Sequence, residues 1–317
     1  MPYVPVTARD GAELLASAER RWEAIATSRP DLAPAVDLQR SLIGIVVRLT
    51  AAVERQRLPQ LSLLPEQVAS KLARGVPALA SEPIPLPVGT LTVPLLELCS
   101  ELGRGGAGDA AAHVRSAIES GAIAPGSLLA ASLARDQHAI RQGALHRGLA
   151  PDLVWLVAEL AVSPVAHLLE ESLLAAPSDR VAQAIDNWGH GYCPACGSWP
   201  ALAEVVDGRR VLRCSFCAAG WELRSYACIY CGEDGERFVT AAPDEERKDR
   251  RVELCSACGG YLKTIDVGEL SPFPLLAIAD LETMELDVAA MARGYGRPPL
   301  RTFGNQVIGE SGNRVIG

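Results

Sequence analysis

Eight of the nine cysteines in this 317-residue chain fall into four C-x-x-C pairs, Cys193/Cys196, Cys214/Cys217, Cys228/Cys231 and Cys255/Cys258. A C-x-x-C turn aims two thiolates and the amides that follow them at one point, which is half of a tetrahedral four-sulfur site. Seventeen residues separate the first pair from the second, a spacing typical of four-cysteine sites. The chemistry on offer is therefore two metal ions, each held by four thiolates. Three rivals remain. A thioredoxin-like dithiol opens a helix after a strand in a βαβ unit, a frame that four pairs crowded between positions 193 and 258 do not fit. Disulfides need an oxidising compartment, and the opening residues lack the basic region and apolar run of a secretory signal. An iron–sulfur cluster also accepts four cysteines, although hairpin ribbons more often hold a single ion. Spacing does not separate zinc from iron, because both accept tetrahedral thiolate.

Each site needs an element that brings two distant pairs together. Between the first two pairs, Ala203–Val206, the dipeptide Asp207-Gly208 and Arg209–Arg213 predict a β-hairpin, since Asp-Gly is a favoured two-residue turn. The hairpin delivers Cys193/Cys196 to Cys214/Cys217. In the second unit Arg237–Thr240 can pair with Arg251–Leu254 across the charged loop 244–250, closing Cys228/Cys231 onto Cys255/Cys258. Upstream, to about residue 185, the pattern is helical. Leu14, Leu15, Ala18, Trp22 and Ile25 recur three and four apart, as do Val36, Ile43, Val46, Leu49 and Val53. Further helices are expected around 66–74, 91–102, 109–120, 127–147 and 152–174, with an extended connector at Pro83–Pro87 and a break at Gly103–Gly108. A helical pattern returns over 275–293. Two near-copies, Gly-Asn-Gln-Val-Ile-Gly at 304–309 and Gly-Asn-Arg-Val-Ile-Gly at 312–317, form a tail expected to be mobile. The resulting expectation is an α+β protein: a helical domain at 1–185, tandem four-cysteine ribbons at 186–268, a C-terminal helical segment at 269–303 and the tail at 304–317.

Composition narrows the function. With 49% hydrophobic and 21% charged residues the chain can bury a large core, chiefly aliphatic because only 5% are aromatic. The most apolar stretch, Leu153–Ala176, is interrupted by Glu159, Pro164, His167, Glu170 and Glu171, so it is expected to be a buried helix or helix pair rather than a membrane span. The net charge is −8, and residues 186–268 carry 10 Lys/Arg against 13 Asp/Glu. Nucleic-acid binding wants the opposite sign. Arg209, Arg210, Arg213, Arg224 and Arg237 could form a local basic face, but a solvated strand surface balanced by carboxylates is the preferred reading. Cys99 sits alone in an apolar helix, which suits a buried structural thiol. His167 suits a satisfied core position. His190 is either close to the first site or a plain loop residue. No phosphate loop, hydrolase elbow or metalloprotease helix occurs, so no catalytic residue is assigned.

These residues also match a known pattern. Trp188, Gly191-Tyr192-Cys193-Pro194-Ala195-Cys196-Gly197-Ser198-Trp199-Pro200, Leu212-Arg213-Cys214-Ser215-Phe216-Cys217 and Trp221 resemble the formate dehydrogenase accessory protein family, FdhE. The likeness continues through Arg224, Cys228-Ile229-Tyr230-Cys231-Gly232, Arg251–Cys255 and Tyr261-Leu262-Lys263 into Asp280, Leu286-Asp287, Gly294-Tyr295 and Arg297. Lys71–Pro77 is family-like too. The resemblance implies a cytoplasmic maturation factor, not an enzyme, needed for active respiratory formate dehydrogenase. It would meet that enzyme's catalytic, molybdopterin-containing subunit before or during assembly and export. It further implies rubredoxin-type centres associated with iron, with all eight paired cysteines as ligands and zinc as the alternative. A rubredoxin-like redox role and a zinc-ribbon nucleic-acid binder are the rival functions.

Overall fold

The structure, a computed structural model, describes residues 3–6, 10–56, 64–243 and 247–301. The duplicated tail and part of the 244–250 loop lie outside the described residues. Helices fill the first half: α1 Gly11–Ser28, α2 Ala33–Arg55, α3 Pro65–Ala73, α4 Val88–Leu102, α5 Gly108–Glu119, α6 Pro125–Leu133, α7 Gln137–His146, α8 Pro151–Leu174 and α9 Asp179–Asp186. Asp10 caps α1 by accepting from the Ala12 and Glu13 amides. The helix then buries Leu14, Ala18, Trp22 and Ile25 on one face against α2. Two features depart from the sequence pattern. The expected 127–147 helix is two helices, because Arg135 adopts φ 60° and Asp136 caps α7 from the Ala139 amide. The break at 103–108 is a π-helical turn, Gly103–Ala107, that runs α4 into α5.

Helix α8 is the one described helix long and apolar enough to cross a membrane. Its centre, Ala161–Ala166, is buried on every side by α2, α4, α6 and α7, the signature of an internal core helix.

The remaining strands are β1 Tyr3–Val4, β2 Pro200–Val206, β3 Arg209–Cys214, β4 Gly220–Trp221, β5 Phe238–Ala241, β6 Arg250–Cys255 and β7 Gly260–Asp266. Both hairpins form as the sequence implies, with Asp207 and Gly208 at φ 50° and 76°, both positive as a type I′ turn requires. The ribbons do not stay separate, however. Strand β7 adds to β6 and runs parallel to β2 in register Ala203↔Thr264, giving one seven-stranded sheet, β1-β4-β3-β2-β7-β6-β5. A buried Glu253 reinforces the seam by accepting from Thr264 Oγ1 at 2.9 Å and Arg210 Nε at 2.7 Å. The C-terminal helical stretch divides at Thr283 into α10 Leu276–Glu282 and α11 Met284–Met291. One hydrophobic core runs from α4 and α8 into the first ribbon, through Val165, Trp188, Phe216 and Trp221.

Candidate metal centres

The fold brings the eight paired sulfurs into two groups, Cys193/Cys196/Cys214/Cys217 and Cys228/Cys231/Cys255/Cys258, with all sulfurs of a group within 4.8 Å of one another. A metal about 2.3 Å from each of four sulfurs at tetrahedral angles sets them about 3.8 Å apart. Here Cys193–Cys217 is 3.7 Å, Cys196–Cys217 3.8 Å and Cys196–Cys214 3.4 Å. In the second group Cys228–Cys258 is 3.7 Å and Cys231–Cys255 is 3.6 Å. Both sets fit a single tetrahedral ion.

The knuckles explain how the chain aims these sulfurs. The residue after each second cysteine, Gly197, Ala218, Gly232 or Gly259, takes a positive φ between 62° and 83°. In three knuckles its amide closes back onto the carbonyl of the first cysteine, at 2.8–2.9 Å. The turned amides then face sulfur: those of Phe216 and Cys217 lie 3.4 and 3.5 Å from Cys214 Sγ. Tyr230 and Cys231 amides face Cys228, and those of Ala257 and Cys258 face Cys255. Amide donors offset charge on thiolates. The first group also shows why a cation belongs there. Burial pushes Cys193 and Cys217 up as thiols, while Cys196, against the same burial, is lowered by hydrogen bonds from its neighbours. Four converging buried sulfurs cannot all ionise without a positive ion among them.

The two groups differ in depth. All four cysteines of the first are buried, whereas Cys231 and Cys258 of the second are exposed. The helical half grips the first group from both sides. The Ala78 and Leu79 amides donate to the Pro194 and Ala195 carbonyls at 2.8 and 2.9 Å. These contacts explain the family-like Lys71–Pro77 segment, since Lys71 holds the following turn through the Ala78 carbonyl and Glu82. On the far side His167 Nδ1–H donates to the Cys217 carbonyl at 3.1 Å, its ring stacked on Phe273 at 4.4 Å. Burial holds that imidazole down at about 4, so it is neutral. Beside it Glu170 is buried and pushed up to about 8 by desolvation, with Oε1 lacking a partner.

Other candidates resolve as follows. Cys99 is buried in α4, and desolvation pushes its thiol up to about 11, away from nucleophilic character. His190 is neither ligand-like nor a bare loop residue; it stacks on Tyr192 at 4.9 Å in a cluster with Trp188. That cluster extends through Trp199 to Tyr230 inside the third pair, with ring separations of 5.9 and 5.0 Å. The five arginines make no common basic face. Arg209 pairs with Glu222 and Arg237 with Glu233, while Arg224 donates to the Asp186 carbonyl. Arg210 and Arg213 are not on a solvated surface: they turn inward to Glu253 and Glu204, the latter pair fully buried. The flanking residues Tyr261, Lys263, Asp280, Asp287 and Arg297 converge in one network. There Lys263 Nζ lies 2.6 Å from both Asp287 and Asp280, and Tyr261 donates to Asp287 at 2.8 Å. It ties α10 and α11 to the second ribbon, a pairing with no local sequence signal.

No protein-family model matches the chain. Among curated proteins it is similar to "Protein FdhE homolog" from Shewanella baltica, 36% identical over 112 residues, which are 34% of this chain and 36% of the relative. The counterpart from Aquifex aeolicus is 30% identical over 37% of this chain and 43% of its own. That from Pseudomonas putida is 33% identical over 39% and 41%. These matches thus span well under half of the relatives' lengths. The fold is similar to the crystal structure of the FdhE protein from Pseudomonas aeruginosa, with a TM-score of 0.60 and 23% identity over 95% of this chain and 98% of that one.

Proposed function

We infer that this chain is a member of the FdhE family, to whose proteins it is similar in sequence and fold, that it is a cytoplasmic accessory factor for respiratory formate dehydrogenase, and that it acts by binding, without turnover chemistry of its own. Its partner is the catalytic, molybdopterin-containing subunit, met before assembly or export. The observation that carries this reading is the closure of both centres. Each tetrahedral set is completed by cysteine, which leaves no position for a water or substrate; structural sites are closed in this way and catalytic ones are open. All eight paired cysteines serve as ligands to two ions, iron by family resemblance. The centres then act as scaffolds for a protein surface. Deleting the gene should abolish formate dehydrogenase activity at unchanged transcript level, and replacing Cys193 and Cys196 together should weaken co-purification of the subunit. Undiminished co-purification by a variant that has lost an ion would sink the scaffold.

A redox reading is favoured by one feature, the aromatic contacts from Tyr192 through Trp199 to Tyr230 that connect the first knuckle to the third. Zinc keeps the tetrahedral geometry but does not change oxidation state. Full rescue by zinc-loaded protein supports the scaffold, and failure despite normal partner binding supports electron transfer.

A further inference from the structure

A cleft of about 1040 Å³ opens between the helices and the first ribbon and reaches the second knuckle at Cys214, Ser215 and Phe216. Its walls are largely apolar, with Leu38 and Leu42 from α2, Leu156 and Leu160 from α8, and Trp199 and Phe216 from the ribbon. Arg135 lies in the wall with only 5% of its surface exposed. Its guanidinium is clamped between the Phe216 ring, at 4.0 Å, and the Trp155 ring, at 4.6 Å. A single ion pair satisfies it, Nη2 to Glu159 at 2.7 Å, while Nε and Nη1 are buried without an acceptor. The same residue carries φ 60°, where glycine is the low-strain choice. A buried charge with unused donors, on a strained backbone, in the wall of a large cleft is what a binding site costs in stability.

We propose that this cleft binds an extended, apolar segment of the partner protein that carries one aspartate or glutamate, whose carboxylate pairs with Arg135. Three features select a peptide. The volume stands at the upper end of small-molecule pockets, far beyond the needs of a simple acid. The cleft is a groove rather than a closed cavity, and its polar anchor is cationic. Its rim already seats a proline-rich stretch of this chain, although one without an acidic residue: Arg297–Leu300 lines the groove, Trp199 Nε1 donates to the Pro299 carbonyl at 3.0 Å, and Leu300 packs on the core. Extended-peptide sites commonly combine such apolar pockets with a few backbone and charged contacts.

The identity of the partner rests on the function proposed above; the chemistry of the groove does not. The test uses fluorescein-labelled ten-residue peptides tiled across the formate dehydrogenase catalytic subunit, titrated by anisotropy into the full metal-loaded chain. Each acidic binder is paired with its Asp→Asn or Glu→Gln mate. The acidic form should bind roughly tenfold tighter, the scale of a hydrogen bond to a charged group. Arg135→Gln should erase that difference, Leu156→Asp on the partly exposed wall should weaken both forms, and Glu159→Gln should tighten the acidic form severalfold by freeing the guanidinium. If Arg135→Gln does not fold, the opposite signs of the other two variants decide the matter. Equal binding of acid and amide, or weakening by Glu159→Gln, overturns the proposal. So does a tenfold gain on removing residues 302–317, which would make the chain's own end the occupant. Co-purification of the whole subunit without any peptide binding would defeat the groove and leave the function standing. Peptide binding with these signs but no co-purification would do the reverse.

Discussion

A left-handed residue follows each second cysteine, and in three knuckles its amide closes the turn onto the first cysteine's carbonyl, so the residue at that position decides how much strain each knuckle stores. Gly259 sits at φ 70° with nothing within 4 Å of where a Cβ would lie, so Gly259→Ala probes conformation alone. It should cost about 1 kcal/mol in thermal unfolding of the metal-loaded protein. Ala218 holds the same conformation at φ 62° with its methyl buried. For Ala218→Gly, relief of strain is offset by loss of about 0.8 kcal/mol of burial, so stability should stay within about 0.5 kcal/mol. A large loss in Ala218→Gly would mean that packing, not backbone strain, governs that knuckle. Glu170 supplies a second residue-scale expectation. Its folded-state value, about 8, lies above the ordinary 4.5, so the native state holds the proton more tightly than the unfolded chain. The stabilisation is full below about pH 4.5 and is lost as pH rises towards 8, at up to about 1.4 kcal/mol per unit. Urea titrations between pH 5 and 8 should show that decline, and Glu170→Gln should flatten it. A decline of equal slope in the variant would assign it to other groups.

Among the elements, the approach of the two ribbons turns on Gly191, two positions before the first cysteine. A Cβ there would lie 2.0 Å from the Ile229 carbonyl oxygen, a backbone atom that cannot swing aside. Gly191→Ala should therefore separate the knuckles and destabilise the protein by about 3 kcal/mol or more, with changed near-ultraviolet dichroism from the Trp188–Tyr192–Trp199–Tyr230 cluster. An unchanged spectrum with native stability would refute the close approach. The sequence displayed both hairpins because their signals are local: an Asp-Gly turn in one, matched strand lengths across a charged loop in the other. Strand β7 left no such mark. Lys263 and Thr264 interrupt its apolar pattern, and they are buried only because Asp280 and Asp287 arrive from distant helices and Glu253 from β6. The parallel pairing of β2 with β7 is likewise non-local, and it changes two ribbons into one sheet. The α6–α7 break was hidden because an arginine, not a glycine or proline, adopts the left-handed turn. The cysteine spacing spoke for each sulfur group, but their unequal depth depends on which face the helices cover.

That inequality governs the whole molecule's response to losing metal. The second group lies at the surface with Cys231 and Cys258 exposed, so a chelator reaches two sulfurs without moving the chain. Reaching the first requires breaking the Ala78 and Leu79 amide bonds to the knuckle, the His167 bond to Cys217, and the core shared with α4 and α8. Those contacts make opening of the first group a near-global event, with a free-energy cost close to that of unfolding. Metal release from the loaded protein should therefore be biphasic: one equivalent leaves quickly, and a second leaves at least about tenfold more slowly. Alkylation during the fast phase should mark Cys228, Cys231, Cys255 and Cys258, while Cys193, Cys196, Cys214 and Cys217 stay unmodified. Hydrogen exchange should then report local loosening around β5 and β6 after the first phase. Protection of α8 and of residues 75–80 should fall only with the second phase, because helices and first ribbon share one core. Release of both ions at one rate, or alkylation of Cys193 ahead of Cys231, would show that burial does not set the order. Loss of the second ion with α8 still fully protected would show that the helices fold independently of the first centre.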